Sequence, residues 1–139
     1  MSRLKLDSDA LGLSSVVERV THVKVKDCFK DDEGETLYFI VGVGEVGKAI
    51  GKGGVNIRQL QMEFSKRVRI IEHSEDVILF VRNVIYPLVV EEIVVQGSEL
   101  IIKDSNKKTK SLLIGRDSKN LRVISRAVKR FFPLVVRVM

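Results

Sequence analysis

This chain of 139 residues has one cysteine, two histidines, two prolines and no tryptophan. A single thiol, Cys28, excludes an internal disulfide and matches a reducing cytoplasm. His22 and His73 lie far apart with no further thiol, so no metal site is expected, and both read as structural residues flanking strands. No apolar run reaches membrane-spanning length; charges interrupt even the stretch from Val77 to Val95. The N-terminus lacks the basic, apolar and small-residue order of a signal peptide, so a cytoplasmic location without a membrane partner is expected. Phe39, Phe64, Phe80, Phe131 and Phe132 sit in apolar runs and read as core, which leaves few aromatics for a base-stacking surface. There is no nucleophile with an evident base, and Asp31-Asp32-Glu33 reads as a solvated hairpin turn. Catalysis therefore has little to stand on, and no cofactor is expected.

What the chain does have is glycine in an informative place. Ile50-Gly51-Lys52-Gly53-Gly54-Val55-Asn56-Ile57 sets a G-x-x-G turn between two helix-like segments. Glycine reaches φ > 0 and lets another backbone come close. A helix starting just after such a turn aims free N–H groups and a positive dipole at whatever rests on the loop. Lys52 adds a full positive charge. The combination suits a sugar-phosphate backbone. Two nucleotide-binding readings compete for the glycines just upstream. Gly42-Val43-Gly44-Glu45-Val46-Gly47 matches G-x-G-x-x-G, and with Lys48 it satisfies most of a P-loop. The P-loop needs Ser or Thr next to hold magnesium, and position 49 is alanine. A dinucleotide helix should run for several turns, yet Gly51, Gly53 and Gly54 break this one within two.

The loop recurs. A shift of 64 residues lays Ile114-Gly115-Arg116-Asp117-Ser118-Lys119-Asn120-Leu121 over it, with Arg122 falling on Arg58. Asparagine, arginine and the flanking apolar residues all return in frame, so the chain reads as two modules, 1–72 and 73–139. Charge follows the same division. Residues 45–72 carry six Lys or Arg against three Asp or Glu, and residues 103–130 carry ten against two. Residues 1–44 carry six against eight, and residues 73–102 one against five. Each basic segment contains a glycine loop, and that coincidence points to a polyanion.

Local patterns suggest the elements. Asp7 can cap a helix to about Val20, and the alternation Val23-Lys24-Val25-Lys26 predicts a strand. Leu37–Val41 is a second strand; Val46–Ile50 and Val55–Ser65 are helices around the loop, and Val68–Ile71 closes the module. Ser74 can cap a helix from Glu75 to Tyr86, stopped by Pro87. Strands Val90–Val95 and Leu100–Ile102 turn at Gly97-Ser98; helices from Lys110 to Ile114 and from Lys119 to Phe131 follow, then a strand from Leu134. Each module thus reads α-β-β-α-α-β, an α+β fold with a three-stranded sheet packed by helices. With almost no linker at His73-Ser74, a fixed relative orientation is expected.

With that order and that loop, the chain resembles a tandem of type II (prokaryotic) KH domains. Val25-Lys26-Asp27-Cys28, Ala49 through Ile57, and Arg82-Asn83 ahead of Pro87 are similar to the archaeal NusA-like transcription factors across essentially the whole chain. The resemblance implies single-stranded RNA as partner and a role in transcription elongation, termination or antitermination, with RNA polymerase or other transcription factors as further partners. Bacterial NusA carries in addition a polymerase-binding domain and an OB-type domain, for which this chain has no room. The implied RNA-binding residues are Ile50, Gly51, Lys52, Gly53, Gly54, Asn56, Ile57 and Arg58 in the first module. In the second they are Gly115, Arg116, Lys119, Asn120 and Arg122. The second loop departs from the pattern: Asp117 lies inside it, and Ser118, where the closing glycine belongs, should restrict the turn. Ribosome assembly and a protein-interaction scaffold are the alternatives.

Overall fold

The computed structural model describes residues 2–139, with side-chain surroundings from residue 12 onward. The chain divides into two compact units, Met1–His73 and Ser74–Met139. The first strings together α1 (Ser2–Thr21), β1 (Val25–Lys30), β2 (Thr36–Val41), α2 (Val46–Ile50), α3 (Val55–Phe64) and β3 (Arg67–Glu72). The second repeats the order with α4 (Val77–Ile85), β4 (Glu92–Gln96), β5 (Glu99–Lys103), α5 (Lys107–Ile114), α6 (Lys119–Lys129) and β6 (Val135–Val138). Each unit has a three-stranded sheet in sequence order, the first pair of strands antiparallel and the second parallel. A hairpin can make the antiparallel pair. The parallel pair needs a crossover, and in both units the crossover is the helix pair that carries the glycine loop.

Burial explains why the loop is held firmly. In the first unit Val17 of α1, Cys28 of β1, Phe39 of β2, Ala49 of α2, Leu60 of α3 and Ile70 of β3 share one core, and Ile50 and Ile57 pack half-buried against it. Fully burying a side chain of this size contributes about 1.5–3 kcal/mol, so the two helices on either side of the loop are anchored independently. In the second unit Phe80 is buried and meets Phe131 edge to face, with ring centroids 5.5 Å apart. Val123, Ile124, Ala127 and Val128 form the buried stripe of α6.

Several local expectations are corrected. The strand placed at Val23–Lys26 begins at Val25 and runs to Lys30, and its register shifts between Val25 and Asp27. That shift interrupts the period-two alternation from which the strand was read. Asp31 is not a solvated turn residue but buried; its Oδ1 accepts from the N–H groups of Glu35 (2.8 Å) and Thr36 (3.2 Å) and ties the β1–β2 hairpin. The cap of α4 is Asp76, whose Oδ1 accepts from Ile78 N–H at 3.0 Å, while Ser74 Oγ accepts from Asp76 N–H. Asn106 caps α5 through Lys108 and Thr109, so that helix starts a turn earlier than Lys110. Helix α1 starts at Ser2, ahead of Asp7, and the side chain of Asp7 lies outside the described surroundings. Among the described residues no helix is long and apolar enough to cross a membrane, and no group of three or more His, Cys, Asp or Glu could hold a metal ion.

Candidate nucleic-acid interface

Helix α2 ends at Ile50, and Gly51 leaves it at φ 80°, ψ 163°, a backbone region essentially reserved for glycine. Lys52–Gly54 make one tight turn, with Gly53 at φ 64° and Gly54 at φ 77° and Gly54 N–H donating to Gly51 C=O at 2.9 Å. Helix α3 starts at the next residue. Two side chains hold this turn from beneath. Asn56 Nδ2 donates to the Lys48 carbonyl at 3.1 Å, one of the carbonyls a helix end leaves without an intrahelical partner. Arg58 Nη1 donates to the Gly53 carbonyl. Gly51 has a second reason to be glycine: a Cβ there would stand 2.8 Å from Asn56 Cγ. Above the turn the space is open. Lys52 and Gly53 are exposed, and nothing lies within 4 Å of where a Gly53 side chain would begin.

The second loop reproduces the first. Gly115 sits at φ 74°, ψ 172°, Asn120 Nδ2 donates to Leu112 C=O at 2.8 Å, and Arg122 Nη1 donates to Asp117 C=O. A Cβ on Gly115 would stand 2.7 Å from Asn120 Cγ. The turn expected to be restricted is made all the same: Asp117 and Ser118 take φ 54° and 62°. Left-handed backbone costs a non-glycine residue about 1–2 kcal/mol, less for a residue such as Asp that bonds locally. The brace beneath keeps the shape that the sequence above it strains.

The residues singled out from sequence therefore separate by geometry. Lys52 and Arg116 are exposed in the loops, with Gly53 beside Lys52. Gly51, Asn56 and Arg58, with their counterparts Gly115, Asn120 and Arg122, shape and tie the loops. Ile50 and Ile57 join the core, and Lys119 opens α6 half-buried. The tying role of Asn56 and Arg58 was missed in reading the sequence, although a signal existed. In both copies asparagine follows the first loop glycine by five residues and arginine by seven. On the outer side of α3 lies an open depression lined by Val55, Arg58, Gln59, Met62 and Glu63. The exposed Arg19–Glu63 pair at its rim, 3.3 Å long, contributes little stability. In the sheet beneath, burial lowers the Arg69 guanidinium below its ordinary pKa, and Tyr38 works the other way.

A helix–turn–helix tied under a cationic glycine loop and laid on a mixed three-stranded sheet is a nucleic-acid-binding module. The family model for the KH domain matches residues 14–88, and the chain belongs to the KH-domain proteins, as an archaeal NusA-like member. It is 34% identical over 134 residues to the probable transcription termination protein NusA of Methanocaldococcus jannaschii, covering 94% of this chain and 72% of that protein. It is 29% identical to the protein of the same description from Halococcus morrhuae, covering 95% of each. The crystal structure of APE1850 superposes with a TM-score of 0.78 at 30% identity, over 93% of this chain and 98% of that one.

Proposed function

We propose that this chain is a non-catalytic RNA-binding factor of transcription, built as two tandem type II KH modules, 1–72 and 73–139. It acts in elongation, termination or antitermination. The observation that carries the reading is the Gly51–Gly54 loop, cationic at Lys52, open above Gly53 and tied from below. Held in this way, the loop needs little reordering when a phosphate arrives, so less of the interaction is lost to ordering entropy. The start of α3 adds N–H groups and positive dipole at the same place. Single-stranded RNA is the partner, because a KH clamp follows about four nucleotides of one backbone and takes unstacked bases. The process is supported by the relatives described as termination proteins, and contact with RNA polymerase or other transcription factors belongs to the same proposal. The setting is cytoplasmic, and no cofactor takes part.

Fluorescence anisotropy with a labelled oligonucleotide series tests this. Single strands should bind in preference to duplex. Neutralising about four phosphates should give log affinity against log salt a slope near −3. Equal affinity for duplex and single strand, or an affinity indifferent to salt, overturns the clamp and favours a protein-interaction scaffold.

A further inference from the structure

The two loops share a shape, but the helices that lead into them differ in length and charge. Helix α2 has five residues and one cation, Lys48, whereas α5 has eight and begins Lys107-Lys108-Thr109-Lys110. Shifted by 64 residues, those lysines fall on Val43, Gly44 and Val46, so the first unit has no counterpart. Leu113 is buried and anchors α5. At 3.6 residues per turn, Lys107 and Lys108 stand about 120° and 140° from it on the outer side, and both are exposed. Lys110, about 60° away, is half-buried. Two carboxylates come near the start of this helix, and both are engaged elsewhere. Asp104 accepts from Glu91 N–H at 3.1 Å and from Asn106 N–H at 2.8 Å, and Glu91 accepts from Ser105 N–H at 2.9 Å and from its hydroxyl at 2.8 Å. Among the described residues, no carboxylate stands within ion-pair distance of Lys107, Lys108 or Lys110. The lysines also sit where a helix disfavours them. Its dipole is positive at the start, and α5 has no acidic residue in its first turn, whereas Glu45 precedes α2.

We infer that the α5 lysines form a second backbone-binding surface, which holds the RNA strand beyond the Gly115 loop. On the RNA-binding reading above, its occupant is single-stranded RNA, because the ridge runs directly into that loop and into the exposed Arg116. At the loop itself Asp117 opposes a phosphate, and the ridge supplies the attraction that the loop lacks. Asn106 already takes the N–H groups of Lys108 and Thr109, so the side-chain ammoniums, and not the helix end, are the ligands. Gly115 lies about 12 Å along the chain's helical rise from Lys107. At about 3.4 Å per stacked nucleotide that length meets about three phosphates, and fewer of an extended strand. An arriving phosphate also relieves the repulsion of these cations by one another and by the dipole. Such contact reads backbone and not sequence, so the second unit adds affinity and salt dependence without adding base preference.

The test compares Lys107→Gln/Lys108→Gln with Lys24→Gln/Lys26→Gln in the full chain. The second pair is equally exposed, lies in the first unit outside its loop and lowers the net charge by the same amount. Two single-stranded RNAs serve as probes, one of about four nucleotides that fills one clamp and one of about twelve that reaches both clamps and the ridge. Losing two phosphate contacts should make the salt slope for the long RNA shallower by about 1.4, while short-RNA affinity stays as in the wild type. The urea midpoint of this variant should equal or exceed the wild-type value, because α5 loses charges that its dipole disfavours. Lys24→Gln/Lys26→Gln should leave the long-RNA slope nearly unchanged. A wild-type slope in Lys107→Gln/Lys108→Gln overturns the inference and leaves the ridge to an acidic protein surface. An equal shift from the Lys24 and Lys26 changes overturns it too, as an effect of net charge alone. So does a urea midpoint below the wild-type value, which marks the α5 lysines as structural. If the wild type binds the short RNA and the α5 variant binds the long RNA normally, only the ridge falls. If the wild type binds neither, the RNA-binding reading falls with it.

Discussion

At the scale of single residues, the Asn56–Gly51 contact links loop shape to loop chemistry. Asn56 can reach the Lys48 carbonyl only because Gly51 has no side chain in its way. Replacing Gly51 by Ala meets both the Asn56 side chain and the glycine-only backbone geometry, and should cost about 1–3 kcal/mol. Asn56→Ala loses one hydrogen bond and should cost about 1 kcal/mol. The two changes share a clash, so they should not add. In the Asn56→Ala background the cost of Gly51→Ala should fall by about 1 kcal/mol, since residues in contact couple on this scale. Urea denaturation of the four proteins measures the cycle. Additive effects would remove Asn56 from its role beneath the turn.

At the scale of the element, α2 and the strand before it decide between an RNA loop and a nucleotide site. A P-loop needs its backbone N–H groups free to cradle phosphate and a long helix behind them. Here Gly44 N–H donates to the Glu72 carboxylate at 3.2 Å, which puts a negative group where a phosphate would rest. Helix α2 has five residues, and the carbonyl of Lys48 is taken by Asn56. Neither binding nor hydrolysis of ATP or GTP is expected. Isothermal titration with the magnesium nucleotides is the check, and micromolar binding lost in Lys48→Ala would reverse the assignment of these glycines.

At the scale of the whole molecule, the two units carry the same architecture with unequal loops, and each loop predicts how the other tolerates change. Asp117 already occupies, at φ 54°, the position that Gly53 occupies at φ 64°. Gly53→Asp is therefore accommodated in open space, at a stability cost of about 1–2 kcal/mol. Its charge meets the phosphate instead. Two unit charges about 6 Å apart repel by roughly 0.7 kcal/mol even in water, and by more where the site is partly desolvated. Lys52→Asp combined with Gly53→Asp should remove most specific RNA binding while the circular dichroism spectrum stays that of the folded protein. Arg116→Asp in the second loop should weaken binding modestly, and mainly at low salt. A larger loss from Arg116→Asp would reverse the ranking of the loops and turn Asp117 away from the RNA.

Much of this was legible along the chain. The order of elements in both units, α2 at Val46–Ile50, the start of α3 at Val55 and the recurrence of the loop follow from glycine placement and apolar spacing. Those signals are local, and α2 and α3 are each short enough for neighbouring residues to define them. The basic segments were legible for the same reason, since charge needs no fold to be counted. What tertiary structure alone decided concerns groups that meet across turns. Asp31 is buried because the hairpin folds back over it and offers two N–H groups, a closure that no pattern around Asp31-Asp32-Glu33 encodes. The register shift after Val25 depends on where β2 pairs with β1. Asn56, Arg58, Asn120 and Arg122 read as RNA ligands in one dimension, because polar residues beside a phosphate loop have that use. In three dimensions the helix also brings them back to their own loop, where they donate to its carbonyls. The amino-acid order determined that a cationic glycine loop would exist, and the packing of α2 and α3 on the sheet decided which of its residues tie it.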